Sequence, residues 1–165
     1  MDALILLRHG KAVREHEAES DAARGLSERG WREAAKAGEE IAAAGLEADV
    51  VLVSTAQRTR ETYAALAETI AMPKARFSPG LYMASAERIW NEAAASGGAC
   101  VLVIGHNPGL QILAAELAAQ ARDRSRAGRD LADHLPTSAF AAFSLAGATL
   151  EAAGPRLIAH WSPKS

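Results

Sequence analysis

The sequence predicts an α/β fold, a three-layer sandwich with a mainly parallel sheet flanked by helices. Three observations predict it. First, the runs at 3–7, 49–53 and 100–104, apolar throughout apart from Asp49, have the length and lack of alternation of strands buried on both faces. Second, each run is followed by a segment whose apolar residues recur at helical spacing, so strand and helix alternate three times. Third, right-handed crossovers between parallel strands place such helices on both sheet faces. The 165 residues suit one domain, spanning 1–165, with one substantial core. No repeat, Pro-rich linker or low-complexity tract divides the chain.

The elements follow in order. Ala3 to Leu7 is the first buried strand, and it runs directly into Arg8-His9-Gly10. Residues 11–24 are too charged to be a core element. Ser27 is placed to cap a helix carrying Trp31, Ala34, Ala35, Gly38, Ile41 and Ala42, and Gly45 suits its C-terminal stop. Gly30 stands where a capping box needs Glu. The second strand leads through Ser54 to a helix from about Gln57, with Tyr63, Leu66, Ala67 and Ile70 on one side and Pro73 as its limit. Arg76 to Ser78 reads as a short strand, and Ser85 as the cap of a helix burying Ile89 and Ala93. After the third strand, Gly105-His106-Asn107-Pro108-Gly109 turns into a helix through Leu110, Leu113, Leu117 and Ala121, with Pro108 in its first turn. Residues 122–133, with alternating charges, read as a solvated loop. Residues 139–145 and 156–161 read as closing strands, with Gly147 and Gly154 near the turns.

Composition excludes several functions. The 18 basic and 20 acidic residues give a net charge of -2, which offers no general attraction to nucleic acid or to an acidic membrane. One cysteine, Cys100, rules out an internal disulfide and a cysteine-only metal site, and its apolar run marks it as a structural thiol. The N-terminal apolar run is too short for a signal segment, and no stretch is long enough to span a bilayer. A soluble, cytoplasmic protein is expected. Trp31, Trp90 and Trp161 read as packing residues, and Arg14, His16, His134 and His160 as surface or loop residues.

The chemistry gathers where the strands end. Loops after the carboxyl ends of parallel strands share one rim, where ligands bind. With neighbouring strands about 5 Å apart, side chains from three such loops reach one small ligand. Here the loops supply Arg8 and His9, then Arg58, then His106. Two guanidinium groups and two imidazoles suit an anion, and phosphate best, because arginine binds its oxygens bidentately. Gly10 is expected to let the backbone approach the ligand, and the helix beginning near Pro108 to aim amides at it. A neutral imidazole attacks phosphorus directly. Arg8 and Arg58 disfavour protonation of His9, while His106 is a candidate charged donor to the phosphoryl group. A metal held by His9 and His106 is disfavoured by the same arginines, so no cofactor or metal is expected.

These residues resemble a known family. Leu7-Arg8-His9-Gly10 resembles the signature of the histidine phosphatase superfamily. The 21–27 segment Asp-Ala-Ala-Arg-Gly-Leu-Ser and the turn Gly105-His106-Asn107-Pro108 are most similar to its SixA-type phosphohistidine phosphatases. The resemblance runs from about Leu4 to Phe143. It implies the histidine phosphatase, or phosphoglycerate mutase-like, fold without a large inserted lid. It implies His9 as the phosphorylated nucleophile, with Arg8, Arg58 and His106 completing the phosphate pocket. Lys11 stands where many relatives carry an acidic or small polar residue, and Arg24-Gly25-Leu26 where the SixA type has Arg-Pro-Leu.

Gly10, Arg24 and Asn107 join the expected substrate contacts. Larger relatives protonate the leaving group with a carboxylic acid; Glu87 is the candidate for that role, with Asp21 the other. Phosphohistidine needs no strong acid if its second ring nitrogen already carries a proton. The expected reaction is hydrolysis through a phosphohistidine intermediate, with a phosphorylated signalling or phosphocarrier protein as partner and inorganic phosphate as product. A small phosphate monoester is the alternative substrate. A mutase would need an insertion to enclose a bisphosphate. A non-catalytic phosphate-binding module would not need His9 beside Arg8.

Overall fold

The computed structural model describes residues 1–122, 125–145 and 154–164. Six strands form one mixed sheet in the order β3-β2-β4-β1-β5-β6. They are β1 (Ala3–Arg8), β2 (Val50–Ser54), β3 (Arg76–Ser78), β4 (Cys100–Gly105), β5 (Phe140–Ser144) and β6 (Arg156–Trp161). The pairs β1–β4, β4–β2 and β2–β3 are parallel, whereas β5 runs antiparallel to both β1 and β6. The helices are α1 (Glu28–Ala43), α2 (Gln57–Ala67), α3 (Ala86–Ala95), α4 (Gly109–Gln120) and α5 (Arg126–Asp133).

Alternation along the strands creates two cores, one on each sheet face. Leu4 and Leu6 of β1 pack with residues of α3, α4 and α5, while Ile5 and Leu7 pack with residues of α1 and α2. All four are fully buried, which explains why the run carries no polar position. Trp31 and Trp161 pack against one core and Trp90 against the other.

The caps do what their chemistry demands. Ser27 accepts from the Gly30 amide at 3.1 Å, and Ser85 from the Arg88 amide at 3.2 Å. Gly45 ends α1 with φ +69°, a conformation open to glycine without steric cost.

Three expectations are corrected. Residues 126–133 form α5, where Ser125 caps the first turn and Leu131 is fully buried. α2 ends at Ala67, short of Ile70, because the amides of both Thr69 and Ile70 close on the Leu66 carbonyl. His160 lies within β6, half-buried, and burial lowers its pKa. The turn expected at Gly147 lies outside the described residues.

Candidate active site

Loops after β1, β2 and β4 converge on a pocket of about 450 Å³ lined by Arg8, His9, Asp21, Arg58, His106 and Asn107, among others. β1 and β4 are adjacent and in register, so Arg8 lies opposite Gly105 and the two histidines follow side by side. Their ring centroids are 5.2 Å apart.

His9 is held in one tautomer. The Gly10 carbonyl can only accept, so His9 Nδ1–H donates to it at 2.8 Å, leaving the lone pair on Nε2. Burial is the largest influence on this ring and lowers its pKa to about 3; the Gly10 bond opposes that shift, while His106, Arg58 and Arg8 reinforce it. His9 is therefore a neutral base at physiological pH, as nucleophilic attack requires. Burial, more than the neighbouring arginines, keeps it so.

His106 is neutral for a similar reason. Arg58 Nη2 donates to His106 Nδ1 at 3.3 Å, so Nε2 carries the proton and donates to Ser54 Oγ at 2.7 Å. Burial first, then Arg58, lowers its pKa to about 4. Burial and Arg58 thus both favour the uncharged ring, against the charged donor that the sequence suggested for a bound phosphoryl group.

Arg58 is only 4% exposed and faces the pocket from the first turn of α2. Asp21 holds it twice: Nη1 donates to the Asp21 carbonyl at 2.6 Å, and Nη2 to Oδ2 at 3.0 Å. The same Oδ2 accepts from Tyr82 O–H at 2.6 Å, and Oδ1 from Arg24 Nη1 at 3.1 Å. The Tyr82 bond, followed by those of Arg58 and Arg24, holds the Asp21 carboxyl far below the usual carboxylate range. Arg8 donates from Nη1 to the Leu135 carbonyl at 3.0 Å, and Asn107 Nδ2 donates to the same oxygen at 3.0 Å. Arg8 Nε and Asn107 Oδ1 are buried with no hydrogen-bond partner among the described residues.

Six of the expected site residues, Arg8, His9, Arg24, Arg58, His106 and Asn107, line this one pocket. Glu87 is not brought there. It lies on α3 and lines a separate cavity with Trp90 and Glu116, so its assignment as the acid is corrected. Asp21, the other candidate acid, is ionised. Gly10 also has a different use. Its amide is already donated to Thr62 Oγ1 at 3.0 Å, and a Cβ there would lie 2.7 Å from the Gly30 carbonyl oxygen. Gly10 therefore serves the packing of its loop against α1. The pocket takes no lining residue from α4, the helix expected to aim amides at the ligand, and the Leu110 amide of that helix closes on the His106 carbonyl.

Sequence reasoning missed the roles of Ser54 and Tyr82. Ser54 sits at the end of β2, which was a usable signal. Nothing local connects Tyr82 to Asp21, which is 61 residues away.

Comparisons with known proteins show what the chain is similar to. The family model of the histidine phosphatase superfamily (branch 1) matches residues 4–82. An uncharacterised Mycobacterium tuberculosis protein is 34% identical over 143 residues, covering 86% of this chain and 88% of that one. A structure from Nakamurella multipartitia, provisionally designated phosphohistidine phosphatase SixA, is 35% identical with TM-score 0.81 and covers 99% of this chain and 97% of that one. A similarly designated structure from Agrobacterium tumefaciens is 29% identical with TM-score 0.79, covering 98% of each chain. A protein histidine phosphatase SixA complexed with tungstate is 25% identical with TM-score 0.75, covering 97% of this chain and 96% of that one.

Proposed function

Since the chain belongs to the histidine phosphatase superfamily, and is a phosphatase of that type, we propose that its substrate is phosphohistidine on a signalling or phosphocarrier protein. The proposed reaction begins with a phosphoryl group held among Arg8, Arg58, His106 and Asn107, with Arg24 at the rim. His9 Nε2 attacks phosphorus in line, the substrate's P–N bond breaks, and its electron pair leaves with the substrate imidazole. Water then attacks phosphorus, the bond to His9 breaks, and inorganic phosphate departs. Positioning and charge stabilisation by the arginines supply most of the acceleration.

One observation carries the choice of substrate. Among the described residues lining the pocket, the carboxylate is Asp21, and it is kept ionised by Tyr82, Arg58 and Arg24. An alkoxide leaving from an ordinary monoester needs a proton from an acid. An imidazole whose other nitrogen is already protonated leaves neutral and needs none. The reading is of a cytoplasmic enzyme, in keeping with the unpaired Cys100.

The test is phosphate release from a phosphohistidine-bearing protein and from p-nitrophenyl phosphate, by wild type and His9→Ala. Release from the protein substrate that is abolished in the variant is expected. Release from the aryl ester alone moves the substrate to small monoesters. No release from either, or release insensitive to the substitution, leaves a phosphate-binding module.

A further inference from the structure

Beyond the phosphate-holding residues, the pocket presents a bulky apolar side chain on a strained backbone. Met83 follows Tyr82 in the turn before α3 and has φ +50°. Residues with a Cβ avoid that region, whereas glycine enters it freely. Met83 is also no core residue: it is 50% exposed and lines the pocket with His9 and His106. The chain thus places a large side chain where glycine is the low-energy choice and where burial returns little. Strain of this kind is found where the side chain has a use.

The neighbours show what holds it there. Tyr82 is tied through its O–H to Asp21 and lies edge-on to His106 with centroids 5.5 Å apart. Ala84 is buried, and its carbonyl abuts Gly109, where an added Cβ would lie 1.9 Å from the oxygen. The turn is pinned on both sides, and Met83 is presented at the pocket. Apart from Ala12, the rest of the lining is charged or polar. A phosphoryl group gains nothing from a thioether. A planar ring does, through dispersion and sulfur–aromatic contact.

We propose that Met83 is a specificity-determining contact for the leaving group, favouring phosphoryl donors that release an aromatic ring such as imidazole. The proposal rests on the phosphatase reading and narrows its substrate class. It requires no proton transfer from Met83 and leaves the His9 chemistry unchanged.

The experiment compares wild type, Met83→Gly and Met83→Leu on three substrates. A phosphohistidine-bearing protein and p-nitrophenyl phosphate both release rings; acetyl phosphate releases a good leaving group without one. Met83→Gly should keep a melting temperature at or above that of wild type, because the strain is relieved. Its KM should rise about three- to tenfold for both ring substrates and stay unchanged for acetyl phosphate. Met83→Leu should largely restore the ring substrates. Equal changes on all three substrates, or none on any, would overturn the proposal, and this contrast is unaffected by how much of a variant folds. If wild type ignores phosphohistidine yet cleaves the other two, the substrate reading fails, while the contrast between those two still decides the role of Met83.

Discussion

Asp21 is the residue on which the pocket's order depends. One carboxylate meets Arg58, Arg24 and Tyr82, and so joins the polar 11–24 segment to α2 and to the turn before α3. Arg58 itself is almost wholly buried, and a buried guanidinium that loses its partner is costly. Asp21→Ala should therefore lower stability by about 2 kcal/mol, less than for a fully enclosed pair, because the Asp21 side chain is 43% exposed. It should also cut kcat/KM about tenfold, as Arg58 loses its fixed direction. Asp21→Asn, which keeps an acceptor, should recover part of both. Urea unfolding and steady-state kinetics on the same preparations check this, and an Asp21→Ala variant with unchanged kinetics would refute it. The importance of this residue was only half legible. The sequence offered Asp21 as an acid because acids are what a phosphatase pocket is expected to need. Its opposite condition, held ionised by three donors, depends on partners 3, 37 and 61 positions away that only the folded chain brings together.

At the scale of elements, the nucleophile's loop is set by a contact between two glycines. The Gly10 loop lies on the first turn of α1, where a Cβ on Gly30 would sit 2.2 Å from the Lys11 carbonyl oxygen. That same oxygen accepts from the amide and hydroxyl of Ser27 at 2.8 and 2.9 Å, locking the loop to the helix cap. Gly30→Ala should thus destabilise the fold by about 1–3 kcal/mol through overpacking against backbone that cannot yield. It should also lower kcat by displacing His9, although Gly30 is not a pocket residue. Thermal melting and kcat measured together test this, and wild-type values for both would show that the loop can move aside. The runs of β1, β2 and β4 were easy to read because burial on both faces leaves no polar position at their centres. α5 was not. It has eight residues, four of them charged, and buries only Gly128 and Leu131, so its charge pattern conceals a helix that docking of Leu131 completes.

For the whole molecule, the buried histidines link stability to pH. An imidazole in the unfolded chain titrates near 6.5, whereas His9 and His106 are lowered to about 3 and about 4. Between those values the unfolded state binds more protons, so stability rises with pH and is lost as pH falls from about 6.5 toward the folded pKa values. The slope approaches about 1.4 kcal/mol per pH unit for each ring. His106→Gln should flatten the decline below pH 6 in denaturant titrations; an unaltered pH dependence would show that His106 does not cause it. The sheet order has a consequence in time as well as in space. β1 carries the nucleophile at its end, yet its two neighbours are β4 and β5, which leave the ribosome roughly a hundred residues later. At about 5–20 residues per second, the first strand waits on the order of ten seconds without a partner. A nascent chain stopped before residue 100 holds the Arg-His-Gly motif but neither of the strands that flank β1. The active site is therefore among the last parts of the molecule to be assembled, although the residue at its heart is among the first to be made.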